Sequence, residues 1–247
     1  MTTCDPYAII IVSKMKGRYK TLSKKIDRRK AYYVVLDTET CNSIEDNMVY
    51  DLGFAVVDKY GKVYEKFSFV IYDVYVGMKD VMQTAYYADK LPQYEIDLAK
   101  GTRKMVSILT ARKVLRDICK KYRVRAIMAH NAEFDNRALK RTLRYITKSE
   151  YKWFLPYGVE IWDTMFMAKD TIGKSALYPL WCKQNGFMTN QNPPRPQLKA
   201  EILYRYMTGN KSFVESHTGL EDVMIEKEIF SRCMSYHKPM RKKLFED

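Results

Sequence analysis

The stretch Tyr33-Val34-Val35-Leu36-Asp37-Thr38-Glu39-Thr40 decides how the chain is read. Aromatic and β-branched residues run unbroken until two carboxylates appear, the pattern of a buried central strand that ends in acid. Side chains on a strand alternate, so Asp37 and Glu39 point to one face, roughly 7 Å apart along it, and Thr38 and Thr40 point to the other. Two like charges at the end of a buried strand repel each other and are poorly solvated, so they need a cation. Hard divalent ions such as magnesium take oxygen ligands of this kind. A strand running out into a solvated acidic turn would carry the same residues, so the weight falls on the rest of the chain.

The chain has 247 residues, enough for one domain with a full core. Its 43 Lys and Arg against 29 Asp and Glu give a net charge of +14, a surface that attracts polyanions, nucleic acid first and acidic membrane second. An acidic strand end inside a basic protein makes sense if the acids hold metal and the bases hold phosphates. The cysteines (Cys4, Cys41, Cys119, Cys182, Cys233) are odd in number and far apart, with no Cys-x-x-Cys pair. That argues for a reducing compartment and against a disulfide framework or a zinc site. The longest early apolar run, residues 7–12, is too short for a signal peptide core or a membrane span. The expectation is a soluble cytoplasmic protein with no membrane partner.

Residues 1–30 differ from the rest. Between Lys14 and Lys30, the bases Lys14, Lys16, Arg18, Lys20, Lys24, Lys25, Arg28, Arg29 and Lys30 stand against the single acid Asp27. This front reads equally as a basic arm that tracks a phosphate backbone and as a solvated helix or loop. Residues 31–247 read as the domain. After the opening strand, the alternation of residues 48–57, the turn at Asp58-Lys59-Tyr60-Gly61 and residues 63–71 predict a three-stranded meander. Residues 74–101 read as helical fragments broken by Pro92 and Gly101. Then come a helix over 103–122, a strand over 124–129, a helix over 132–145, a strand over 159–162 and a helix opened by Asp163-Thr164. Helices over 175–186 and 198–207 flank a rigid linker at 192–196, the second ended by Gly209. The prediction is an α/β fold, a mixed five-stranded sheet flanked by helices.

Two later blocks carry acids in apolar company. In His130-Asn131-Ala132-Glu133-Phe134-Asp135, a strand passes into a helix whose positions three, four and seven after Asp135 are Ala138, Leu139 and Thr142. Asn131 is placed as a helix cap. Judged from this block alone, Asp135 reads better as a surface acid paired with Arg137 or Arg141. In Glu215-Ser216-His217-Thr218-Gly219-Leu220-Glu221-Asp222, Thr218 and Glu221 have capping-box spacing. Asp222 shares its helix face with Ile225 and Ile229, and an acid buried there wants a partner or a metal. His217, in the loop just outside, has the mobility and the near-neutral pKa of a general base.

Taken together, Leu36 to Thr40, His130 to Asp135 and His217 to Asp222 resemble the three exonuclease motifs of the DEDD superfamily, specifically its DEDDh branch. That branch includes the proofreading epsilon subunit of bacterial DNA polymerase III, RNase T, oligoribonuclease and the TREX enzymes. The resemblance covers residues 32–236, with support from Asp163-Thr164 and from residues 203–209. The sister branch has a tyrosine four residues before the last Asp, where this chain has Thr218. Gly219 stands where the family often has another small residue, and the basic front is extra.

The resemblance implies an RNase H-like fold and a 3′–5′ exonuclease that cuts single-stranded DNA or RNA to nucleoside 5′-monophosphates with two Mg2+ or Mn2+. Asp37, Glu39, Asp135 and Asp222 become the metal ligands and His217 the base. Thr38 and Thr40 become contacts to the terminal nucleotide, and Asn131 a contact to the substrate strand. The rival reading is a non-catalytic nucleic-acid-binding protein, or a polymerase-associated subunit, that retains the fold. For the front of the chain, deleting residues 1–30 should weaken oligonucleotide binding and flatten its salt dependence, by about one unit of slope for each phosphate that the arm neutralises. An unchanged slope in an anisotropy titration would make it a docking element instead.

Overall fold

In the computed structural model, which describes residues 26–245, the opening stretch is strand β1 (Tyr33–Cys41), inside a six-stranded sheet. β2 (Met48–Val57) and β3 (Val63–Ile71) follow as the antiparallel meander that the alternation predicts. On the other side of β1 lie β5 (Ala126–Ala129) and then β6 (Glu160–Asp163), both parallel to it. β4 (Lys104–Val106) pairs parallel with β3, so the order is β4-β3-β2-β1-β5-β6.

β4 corrects the five-strand count. The helix expected from residue 103 begins only at Ile108, because the Ser107 hydroxyl accepts the Thr110 amide and caps the helix there. The three residues upstream stay extended and pair with Phe69–Ile71. A second correction concerns residues 74–101. Residues 72–101 hold α1 (Tyr72–Tyr75), α2 (Lys79–Met82) and α3 (Leu91–Lys100), and Pro92 opens α3 instead of breaking it. A proline in the first turn gives up an amide that has no helical partner anyway. Gly101, at φ 73°, ends the helix as expected.

The remaining helices are α4 (Ile108–Tyr122), α5 (Ala132–Thr147), α6 (Thr164–Asp170), α7 (Leu177–Gln184), α8 (Ala200–Thr208) and α9 (Gly219–Ser235). The alternation along β1 sorts them into two layers. Val34 and Leu36 pack with Phe54, Leu115 and Leu139 on one face, under α4 and α5. Tyr33 and Val35 pack with Met167, Ile229 and Phe230 on the other, under α6 and α9. Ile26 packs against the first of these cores, and the Lys30 ammonium donates to the Tyr64 hydroxyl at 2.9 Å. The last residues of the expected basic arm are therefore docked, while residues 1–25 of it lie outside the described residues. Cys41, Cys119, Cys182 and Cys233 are buried free thiols. Among the described residues, no helix is long and apolar enough to cross a membrane.

The contact that matters most for the site is between backbones. A Cβ on Gly53 of β2 would stand 2.2 Å from the Gly219 carbonyl carbon, and one on Gly219 would stand 2.7 Å from the Gly53 nitrogen. The first turn of α9 thus rests directly on the sheet, and the Gly219 amide donates to Asp51 at 2.9 Å. Gly53→Ala forces these backbones apart, and overpacking of this kind costs about 1–3 kcal/mol. The expected result is a lower urea midpoint for Gly53→Ala. A wild-type midpoint would mean that the helix seat is compliant.

Candidate metal centre

Two ladders of side chains face each other between β1 and α9. On β1 the row is Tyr33, Val35, Asp37, Glu39. On α9, at spacings of four, it is Phe230, Glu226, Asp222, one face of the helix. The apolar ends meet first, with the rings of Tyr33 and Phe230 at 4.9 Å between centroids. At the other end, a carboxylate oxygen of Glu39, one of Asp222 and a ring nitrogen of His217 lie within 4.8 Å of one another. Between the two ends, Asp37 Oδ2 and Glu226 Oε2 are buried without a hydrogen-bond partner among the described residues.

Asp135 enters from the first turn of α5. It is 4% exposed and accepts the Thr38 hydroxyl at 2.7 Å, so it is not the surface acid of the alternative reading. Arg141, one of its supposed partners, donates to Asn47 at 2.8 Å and approaches Asp46 at 3.9 Å. Asn131 corrects the cap assignment. It holds φ 70°, and its side chain caps nothing. Asp163 takes that role across the strand ends, accepting the amides of Asn131, Ala132 and Met165 at 3.2, 3.2 and 2.8 Å. One carboxylate thereby fastens the starts of α5 and α6.

The capping box at Thr218 is also rearranged. The Thr218 amide, which Glu221 would have to reach, donates to Asp222 Oδ2 at 3.1 Å instead. The Thr218 hydroxyl donates to Glu221 at 2.8 Å, and Glu221 is held by Arg103 at 2.9 Å. Arg103, 3% exposed, also reaches Asp51 at 2.7 Å, and the Tyr94 hydroxyl donates to the same carboxylate at 2.7 Å. Asp51 sits directly across the β1–β2 pair from Glu39, where like charges repel, so Arg103 neutralises the nearer acid. His217 is held more firmly than a loop position suggests. Its backbone is at φ 55°, and its ring stacks on Tyr87 at 3.9 Å with planes 6° apart. His130 has both ring nitrogens committed, to the Thr164 hydroxyl and the Leu198 carbonyl, which makes it structural.

Sequence reasoning passed over Glu226, Asp51 and Glu215. Glu226 is 3% exposed, and its Oε1 accepts the His130 amide at 3.2 Å. Its signal was available, because it follows Asp222 by one helical turn between the apolar Ile225 and Ile229.

Burial raises the pKa of every acid in this cluster. Asp37 stands well above the carboxylate range through burial, then through Glu226, Asp135, Glu39 and Asp222. Glu39 is pushed to about 9 by burial and then Asp222, and Asp222 to about 8 by burial and then Glu215. Asp135 rises to about 7 by burial, against the lowering effect of the Thr38 hydroxyl. Glu226 is raised by burial and then Asp135, and Glu215 to about 7 by burial and then Glu201. Among the described residues, no lysine or arginine forms an ion pair with Asp37, Glu39, Asp135, Asp222 or Glu226. Buried oxygens without partners, and a Glu–Asp–His trio at ligand spacing, fit a divalent cation. Burial lowers the His217 pKa, leaving a neutral ring that can accept a proton at pH 7.

Solved structures share this arrangement of sheet and helices. Pop2p of S. pombe, in a form with Mg2+ and Mn2+ bound, aligns with 85% of this chain and 84% of its own at a TM-score of 0.50 and 13% identity. The fold of this chain is the one that Pop2p has. Exonuclease X in complex with 5′ overhanging duplex DNA aligns at a TM-score of 0.41 and 16% identity, over 83% of this chain and 92% of that one. E. coli exonuclease I in complex with a dT13 oligonucleotide aligns at 0.46 and 13% identity, over 82% of this chain. The chain spans only 40% of the length of exonuclease I. No family model and no curated protein matches the sequence. At these identities the likeness gives the fold alone, and the chemistry rests on the residues.

An acid whose pKa rises on folding keeps its proton in the native state at pH values where the unfolded chain has lost it. Its stabilising contribution is therefore full below the unfolded value of about 4 and drains away as pH climbs through the native values. Here those native values run from about 7 for Asp135 to about 9 for Glu39. The Tm of the metal-free protein should fall from about pH 5 to about pH 9. Mn2+ should restore it most at the alkaline end, where the ligands are deprotonated. A metal-free Tm that stays flat or rises over that range would contradict the cluster.

Proposed function

We propose that the chain is a divalent-metal-dependent 3′–5′ exonuclease of the DEDDh type, releasing nucleoside 5′-monophosphates from single-stranded DNA or RNA. The observation that carries this is the meeting of Glu39, Asp222 and His217 within 4.8 Å, beside the partnerless Asp37 Oδ2, on an exonuclease fold. Asp37, Glu39, Asp135 and Asp222 would hold two Mg2+ or Mn2+. Bound there, such ions stabilise charge on phosphoryl oxygens and acidify water.

The protein's own groups supply the rest. His217, kept neutral by burial, accepts the proton of the attacking water, and Tyr87 holds the plane of its ring. Thr38 spends its hydroxyl on Asp135, so it orients that acid and offers the substrate its backbone. Thr40, at the β-bulge that follows Glu39, is assigned to the terminal nucleotide, and the exposed Asn131 to the strand behind it. The non-catalytic reading is disfavoured by Asp37 and Glu226, since partnerless buried oxygens are costly and a retired site has no use for them.

Asp37→Ala and Asp222→Ala should each abolish Mg2+-dependent shortening of a 5′-labelled single strand, resolved on a denaturing gel. His217→Ala should slow it by about two to four decades while the four carboxylates, the assigned ligands, still bind Mn2+. Wild-type rates in either aspartate variant would refute the assignment.

A further inference from the structure

On the face of the sheet away from α9, α4 and α5 lie together, and the segment after α5 folds back across both. Arg112 of α4 donates to the Trp153 carbonyl at 2.8 Å, and Arg144 of α5 donates to the Lys152 carbonyl at 3.2 Å. Two arginines from different helices therefore fix the loop that presents Trp153. The indole is 52% exposed, yet it is not bare. The Lys140 ammonium lies 5.0 Å from its ring centroid and the Arg144 guanidinium 5.5 Å.

These cations belong to a pattern. Arg137, Lys140, Arg141 and Arg144 recur at three and four residues, one stripe on α5 about 10 Å long, and Lys148 follows at the helix's C-terminal cap. Arg112 and Arg116 add a second step on α4. Among the described residues, no acid forms an ion pair with Arg112, Arg116, Lys140, Arg144 or Lys148. Like charges gathered around an exposed aromatic repel one another until a polyanion arrives. A rigid exposed ring among cations is the arrangement that stacks a base and holds the phosphates beside it. An acidic protein would use the charges but has no need of the flat ring.

We infer that Trp153 and the α4–α5 cations form a second binding surface for single-stranded nucleic acid, holding the strand some nucleotides away from the end that enters the metal centre. The inference deepens the proposed exonuclease function and rests on it for the placing of that end. Asp135, in the first turn of α5, and Arg144, beside Trp153, are separated along the helix by about 13 Å, about four nucleotide steps at a stacked rise of ~3.4 Å, so a stacked strand needs about five nucleotides to engage both. Short oligonucleotides would miss the platform.

The test is fluorescence anisotropy with dT20 and dT4 in EDTA, where no cutting occurs, over a range of salt. Trp153→Ala should weaken dT20 binding about tenfold, and Trp153→Phe should restore most of it. The Lys140→Ala/Arg144→Ala double variant should lower the salt slope by about 1.4 units, 0.7 for each phosphate contact on a single strand. In both, the preference for dT20 over dT4 should shrink. Unchanged dT20 affinity and slope would overturn the inference. So would equal losses on dT4 and dT20, or a Trp153→Phe variant as weak as Trp153→Ala. Failure of the exonuclease reading appears separately, as an absence of cutting in Mg2+ by the wild type.

Discussion

Two glycine backbones in contact, Gly53 in β2 and Gly219 at the start of α9, set how closely a helix can lie on the sheet. That spacing decides what the facing side chains become. At the apolar end of the ladders, Tyr33 against Phe230 is ordinary core. Two turns further along α9, the same closeness brings Glu39, Asp222 and His217 to within ligand distance of one another. A side chain at either glycine would lift the helix and open the gap between the acids, so the chemistry depends on a position that bears no functional group.

The acids divide by how their charge is met. Asp51 is given a guanidinium, a phenol and an amide, and in return it ties β2 to α9. Arg103 joins it to Glu221, and Glu221 to Thr218, so the neutralised network ends on the residue next to His217. Asp37 and Glu226 have no such cation among the described residues, and each keeps one buried oxygen without a partner there, as Asp51 Oδ1 does beside its guanidinium. Such groups weaken a fold unless something else occupies them. The two apolar cores, one on each face of the sheet, are what allow the fold to carry that cost.

The meander and the order of the acid blocks are legible in the sequence because both rest on short-range rules. Alternation along residues 33–71 reports which side of the sheet each residue faces, and it predicts the observed bounds of β2 and β3. It does not report the edge strand β4, whose three residues are too few to show a period, nor the capping by Asp163, a contact across strand ends. Glu226 is masked by the apolar Ile225 and Ile229 on either side of it, although an acid one turn beyond Asp222 on the same face is itself a signal. Asp51 lies in a strand buried on both faces, so alternation alone cannot say that it is enclosed. The stack of His217 on Tyr87 joins residues 130 positions apart, and no local pattern encodes it.

Among the described residues, the carboxylates between β1 and α9 are held apart from any cation, which leaves them to bind divalent ions. Isothermal titration of the protein with Mn2+ at alkaline pH tests this most directly. The account predicts saturable binding of about two ions per chain, accompanied by proton release and reduced in Asp37→Ala. An absence of saturable binding, or full binding in the variant, would contradict it.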